Sequence, residues 1–162
     1  MTTRNAAMPP VRYGYGLLMF LLALTGFAQM PIFKRYYIAD IPGLGWLAMF
    51  YVTHYLHYIG AALILGLAAY FVTAYVQTRP ERPKLTVSGY LRAGLIGVIL
   101  VTGLLLAVKN FPGYVFPPGA VILLDLVHMG SAFAFILTAL YCWASSKKWI
   151  DSPSKGDLKG VN

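Results

Sequence analysis

His57-Tyr-Ile-Gly-Ala-Ala-Leu-Ile-Leu-Gly-Leu-Ala-Ala-Tyr70 carries no formal charge, and it lies inside an uncharged stretch that runs from Trp46 to Val76. A helix needs ~20 mostly apolar residues to cross a hydrocarbon core, so this stretch reads as a membrane span, long enough to tilt or to project beyond the bilayer. Working outward from it, three further apolar runs fall at roughly 13–32, 90–108 and 118–144, beside the central one at roughly 46–76. Composition agrees. Of the 162 residues 59% are hydrophobic and only 11% charged, whereas soluble domains carry about 25% charge. The expected fold is all-α: an integral membrane four-helix bundle, up-down-up-down, in a single transmembrane domain over 1–162, with a polar tail at 149–162. The first apolar run is too long for a signal-peptide core and shows no small-residue cleavage site, so that helix is expected to be retained.

The basic residues set an orientation. Arg4, Arg12, Arg79, Arg82, Lys84, Arg92, Lys147, Lys148, Lys155 and Lys159 fall on one side of these spans, and only Lys34, Arg35 and Lys109 on the other. Cytoplasmic flanks accumulate Lys and Arg, so both termini are expected in the cytoplasm. The Tyr36–Trp46 and Phe111–Pro118 loops then face outward, with Tyr36, Tyr37, Trp46, Phe111, Tyr114 and Phe116 as an aromatic belt. The net charge of +8 is explained by this placement and by anionic lipid, with no nucleic-acid partner required. A lone cysteine, Cys142, excludes an intrachain disulfide, and no Cys-x-x-Cys-His occurs for covalent haem attachment. Iron–sulfur ligation is equally unsupported.

A second stretch, His128-Met-Gly-Ser-Ala-Phe-Ala-Phe-Ile-Leu-Thr-Ala-Leu-Tyr141, repeats the spacing of the first, with a histidine thirteen positions before a tyrosine. The odd-numbered helices share Thr-Gly, at Thr25-Gly26 and Thr102-Gly103. The four helices therefore read as two similar hairpins, parallel repeats about an axis along the membrane normal. Depth gives a physical test. His57 lies eleven residues beyond Trp46 and His128 ten beyond Pro118, which at 1.5 Å rise puts both roughly 15–17 Å below the outer surface. Small residues adjoin each histidine (Gly60, Ala61, Ala62; Gly130, Ser131, Ala132), leaving room for a flat macrocycle or for close helix contact.

Intramembrane histidines are costly and require partners, which makes them functional candidates. Neutral imidazole ligates iron through one ring nitrogen while the other needs a hydrogen-bond partner to orient the ring. His57 and His128, level and on alternate helices, are the expected axial ligands of one b-type haem; the competing reading is interhelical glue. His54 and Asp125 each precede a proposed ligand by three residues and share its helix face. Their expected role is a contact across the bundle: second-shell acceptor, proton relay or quinone contact, with a plain ion pair as the alternative. His54 is also the rival of His57 for iron. Arg35, with Lys34 and Lys109, could meet haem propionates, or could simply snorkel.

These residues resemble the four-helix cytochrome b subunits of membrane-bound formate dehydrogenases and nickel–iron hydrogenases, and related small membrane cytochromes b. Family members open their first helix with Arg-x-x-His before an apolar run and Thr-Gly; Arg12-Tyr-Gly-Tyr15 leading to Leu24-Thr25-Gly26-Phe27 looks like that pattern with tyrosine for histidine. The last family helix carries two histidines fourteen positions apart, and here His128 is followed at that distance by Cys142. The resemblance implies that His57 and His128 match the outer haem's ligands, while Tyr15 and Cys142 fall where the inner haem's would be, so that one haem site is lost. It further implies an electron-transfer subunit in the cytoplasmic membrane of a prokaryote, passing electrons between quinone and an iron–sulfur or multihaem cytochrome partner on the extracytoplasmic side. The alternative is a haem-free structural anchor subunit. A transporter is disfavoured because no helix is visibly broken near mid-membrane. A self-standing enzyme is disfavoured because no nucleophile–base set, phosphate loop or carboxylate pair is present.

Overall fold

The computed structural model describes residues 9–30, 35–77 and 84–150, with side chains from residue 13 onward. It is all-helical in its long elements: α1 (Pro9–Ala28), α2 (Phe50–Gln77), α3 (Val87–Val108) and α4 (Pro118–Ala144). The last three are long and apolar enough to cross a membrane, and α1 is apolar over Tyr13–Ala28. Their apolar side chains lie mostly exposed, as in Phe20, Leu63, Val101 and Leu137. In water such a surface would be untenable, and in lipid it is the stable one. The chain is a membrane protein with helical spans.

The helix boundaries follow local chemistry and depart from the sequence expectation in four places. α1 begins at Pro9-Pro10 rather than near 13, because proline in the first turn gives up an N–H that has no helical partner anyway. It stops at Ala28 rather than near 32, since Pro31 biases Met30 away from the helical region. The stretch before α2, expected to be helix from 46, is a tighter 3-10 turn at Gly45–Ala48, and Met49 in an extended conformation (ψ 92°) separates it from Phe50. Another 3-10 turn spans Ile38–Asp40. α3 starts at Val87 rather than near 90, capped by Thr86, whose hydroxyl accepts from the Gly89 N–H at 2.9 Å. α4 matches its expected bounds, with proline at its first turn. Arg79, Arg82, Lys34 and the tail from residue 151 lie outside the described residues.

The chain divides into two compact units, Met1–Phe71 and Val72–Asn162. In the first, α1 and α2 are antiparallel. Leu22 meets Gly60, Thr25 and Gly26 meet His57, and Gln29 meets His54, so contacts ascend one helix while descending the other. A Cβ at Gly60 would stand 3.0 Å from Leu22 Cδ2, so this small residue admits α1 rather than a cofactor. Leu47 of the 3-10 turn is buried, at 1% exposure, and its turn packs on α1.

In the second unit α3 and α4 are antiparallel and closely packed. α4 ends in a Schellman turn: the Lys147 N–H donates to the Cys142 carbonyl at 2.8 Å and the Ser146 N–H to the Trp143 carbonyl at 3.2 Å. Ser146 takes the left-handed conformation this turn demands, φ 52°. A side chain there costs roughly 1–2 kcal/mol, so Ser146→Gly is expected to stabilise by about 1 kcal/mol, measurable as a rise in thermal midpoint in detergent. The turn sends residues 147–150 back across the start of α3. Leu85 and Ile150 form an isolated antiparallel bridge, the Thr86 N–H donates to the Trp149 carbonyl at 3.1 Å, and the Thr86 and Ser88 hydroxyls donate to the Lys148 carbonyl at 2.8 and 3.1 Å.

Arg92 closes this clasp. Sequence reading placed it among the topology-setting charges of the membrane flank, yet it is only 5% exposed. Its Nε donates to the Ser88 carbonyl at 3.0 Å, its terminal nitrogen to Ser88 Oγ at 3.3 Å and the Lys147 carbonyl at 3.5 Å, and its guanidinium lies 4.2 Å from the Trp149 ring centroid. A planar guanidinium suits this combination of forked donation and stacking in a way that lysine would not.

Candidate functional site: two matched histidine cradles

Thr25 is an α1 residue at 1% exposure, and its hydroxyl sits 2.7 Å from the Leu21 carbonyl one turn back. A hydroxyl has one proton, which this short bond takes, so toward His57 the oxygen accepts. The His57 Nδ1 lies 3.1 Å from it. The proton is therefore on Nδ1 and the lone pair on Nε2. One residue on, a Cβ at Gly26 would stand 3.3 Å from His57 Cε1, tight enough that the ring would have to give way.

The second unit repeats this arrangement. Thr102, 7% exposed, donates to the Val98 carbonyl at 2.7 Å and its oxygen lies 3.0 Å from His128 Nδ1. The Ile99 carbonyl lies 3.1 Å from the same nitrogen. A carbonyl can only accept, so this contact independently puts the proton on Nδ1. A Cβ at Gly103 would stand 3.0 Å from His128 Cε1. Thr-Gly on the odd helix and histidine on the even helix thus form the same cradle twice. The sequence showed Thr-Gly as a repeat and within a family-like pattern; the structure sets each pair against an imidazole, the hydroxyl at Nδ1 and the glycine beside Cε1.

An imidazole held in this way could ligate a metal centre, haem iron included. Imidazole ligates through a neutral nitrogen lone pair, and the opposite N–H, held by an acceptor, fixes the ring and raises its basicity. Among the described residues no cluster of three His, Cys, Asp or Glu side chains gathers to hold a bare metal ion.

His54, the other imidazole of α2, is held from α1 as well. Its Nδ1 lies 3.1 Å from Gln29 Oε1, and Gln29 Nε2 donates to the Thr25 carbonyl at 3.4 Å. Gln29 follows Thr25 by one turn, so α1 presents an acceptor to each histidine of α2 in register; Thr25 and Gln29 at i and i+4 were the signal in the sequence. His54 also stacks on Phe50 (centroids 5.1 Å apart, planes at 20°) and lies 4.3 Å from the Tyr58 ring. Asp125, in the other unit, is exposed, as is Arg35. Cys142 is a buried free thiol at 3% exposure. Tyr15 lies half-buried on α1.

Comparison of the chain with family models, with curated proteins and with solved structures finds no match in any of the three.

The threonines give a prediction. Thr25→Val and Thr102→Val keep shape and remove the acceptor. Were His57 and His128 to hold a haem, each variant would weaken its retention 10–100-fold, the usual effect of deleting a ligand's outer hydrogen-bond partner, as read from the haem remaining after purification in increasing detergent.

Proposed function

We propose that this chain is the membrane cytochrome b subunit of a respiratory oxidoreductase complex, with His57 and His128 supplying the axial nitrogens of one b-type haem. The observation that supports this reading is the duplicated cradle: two imidazoles, in two hairpins, each held at Nδ1 and Cε1 by the same Thr-Gly pair. A haem held by His57 and His128 would supply one-electron transfer. The rest is the work of the chain. Thr25 and Thr102 hold the Nδ1 protons, and the apolar helices keep the site in lipid.

In this reading His54, its Nδ1 proton on Gln29, has a basic Nε2 suited to take a proton from a quinol hydroxyl, between the rings of Phe50 and Tyr58. Asp125 serves as a second protonatable group, and Arg35 as a weak propionate contact. Quinone is the membrane substrate and an extracytoplasmic iron–sulfur or multihaem cytochrome subunit the partner, in a prokaryotic cytoplasmic membrane with both termini inside.

A second reading, a haem-free anchor subunit, is favoured by the same Thr–His bonds, because they knit each hairpin. A pyridine haemochrome assay separates the two. One haem per chain, reducible by quinol in a reduced-minus-oxidised spectrum, is the expected result. A fully helical, membrane-extracted protein with no Soret band in cells supplied with haem precursor would leave only the anchor.

A further inference from the structure

Where α3 begins and α4 ends, the second unit carries a groove of about 420 Å³. Its lining is mostly apolar: buried Cys142 and half-buried Thr138 lie deepest, the exposed Val87 and Leu91 flank them, and the exposed Lys147 and Lys148 stand at its rim. No acidic side chain contributes to it. α3 starts at Val87 and α4 stops at Ala144, so the rim lies where the spans leave the apolar layer, at headgroup depth, while the floor runs into the hydrocarbon.

The rim is held in place. The clasp fixes the backbone of both lysines through the Arg92, Thr86 and Ser88 contacts to their carbonyls. Lys147 Nζ donates to Tyr141 Oη at 3.3 Å and sits 4.8 Å from that ring's centroid. An ammonium has three protons, and one bond to a phenol leaves it able to meet an anion. Paired cations above an apolar slot match a molecule with a negative head and a hydrocarbon body.

We propose that this groove seats one anionic phospholipid, its phosphate at Lys147 and Lys148 and an acyl chain along Leu91, Thr138 and Cys142. Charge complementarity selects anionic over zwitterionic lipid, and the apolar floor selects a lipid over a free anion. The site is independent of the histidines, so its failure would leave the haem reading untouched.

The test is native mass spectrometry of the full chain in detergent, titrated with phosphatidylglycerol or phosphatidylcholine. Wild type is expected to retain one phosphatidylglycerol at least tenfold more strongly than phosphatidylcholine. The double variant Lys147→Gln with Lys148→Gln is expected to lose that preference. Thr138→Phe keeps both charges but fills the slot, and it is expected to lose phosphatidylglycerol at least tenfold; Thr138→Leu replaces it if the larger side chain abolishes helicity. Inorganic phosphate at millimolar concentration is expected to leave the bound lipid in place. Equal retention of the two lipids, or unchanged retention in either variant class, would overturn the proposal, as would displacement by phosphate, which would make the ligand a free anion.

Discussion

With His57 and His128 as the proposed ligands, His57→Ala and His128→Ala are each expected to remove haem from the purified protein entirely, because either variant would take away half of the group's attachment to the protein. His54→Ala is expected to retain full haem while slowing quinol-driven reduction. The cradles are the reason for distinguishing His54 from His57. His57 and His128 share an acceptor hydroxyl and a glycine-lined ring face at nearly equal distances, whereas His54 is held by an amide and by aromatic rings. Haemochrome quantitation on all three variants, with helicity checked by circular dichroism, reads the result. Haem at full stoichiometry in His57→Ala would remove the bis-histidine assignment, and full loss in His54→Ala alone would move the ligand one turn along α2.

The second large effect is expected at the clasp. A Cβ at Gly89 would run into the Trp149 carbonyl oxygen, a backbone atom that cannot swing aside. Arg92→Ala removes donors from the Ser88 and Lys147 carbonyls and the cation from the Trp149 ring. Hydrogen bonds from a charged group contribute about 1.5–3 kcal/mol, and every 1.4 kcal/mol is a factor of ten in an opening equilibrium. Gly89→Leu and Arg92→Ala are therefore each expected to speed tryptic cleavage after Lys147 and Lys148 about tenfold or more, with the helices left intact. Cleavage at the wild-type rate in both would show that the segment is held by something else.

The four helices and their membrane character were legible because uncharged runs of this length have few stable fates. The pairing of Thr-Gly with histidine was half legible: both motifs could be seen to recur, but not that one grips the other, since thirty-two positions separate Thr25 from His57 and twenty-six separate Thr102 from His128. Gln29 was passed over because a glutamine at a helix end looks like an interfacial residue until its neighbour across the hairpin is known. The burial of Arg92 was not legible for a related reason. Counting charges gives a side of the membrane, not a burial state, and its partner Trp149 lies far away in sequence. Boundaries were least readable where backbone geometry decides, as at Met49, whose extended conformation interrupts what composition alone treats as continuous helix.

Each imidazole finds its hydroxyl inside its own hairpin, and this bears on how the chain enters the bilayer. Synthesis delivers residues in order, so α1 and α2 can leave the translocon as a pair with the His57 Nδ1–H already bonded before α4 has left the ribosome. A polar ring that had to wait for the far half of the chain would cross the lipid with its N–H exposed to hydrocarbon. Closure within each hairpin avoids that intermediate, so biogenesis can proceed in two halves, each ring set before the other half is complete.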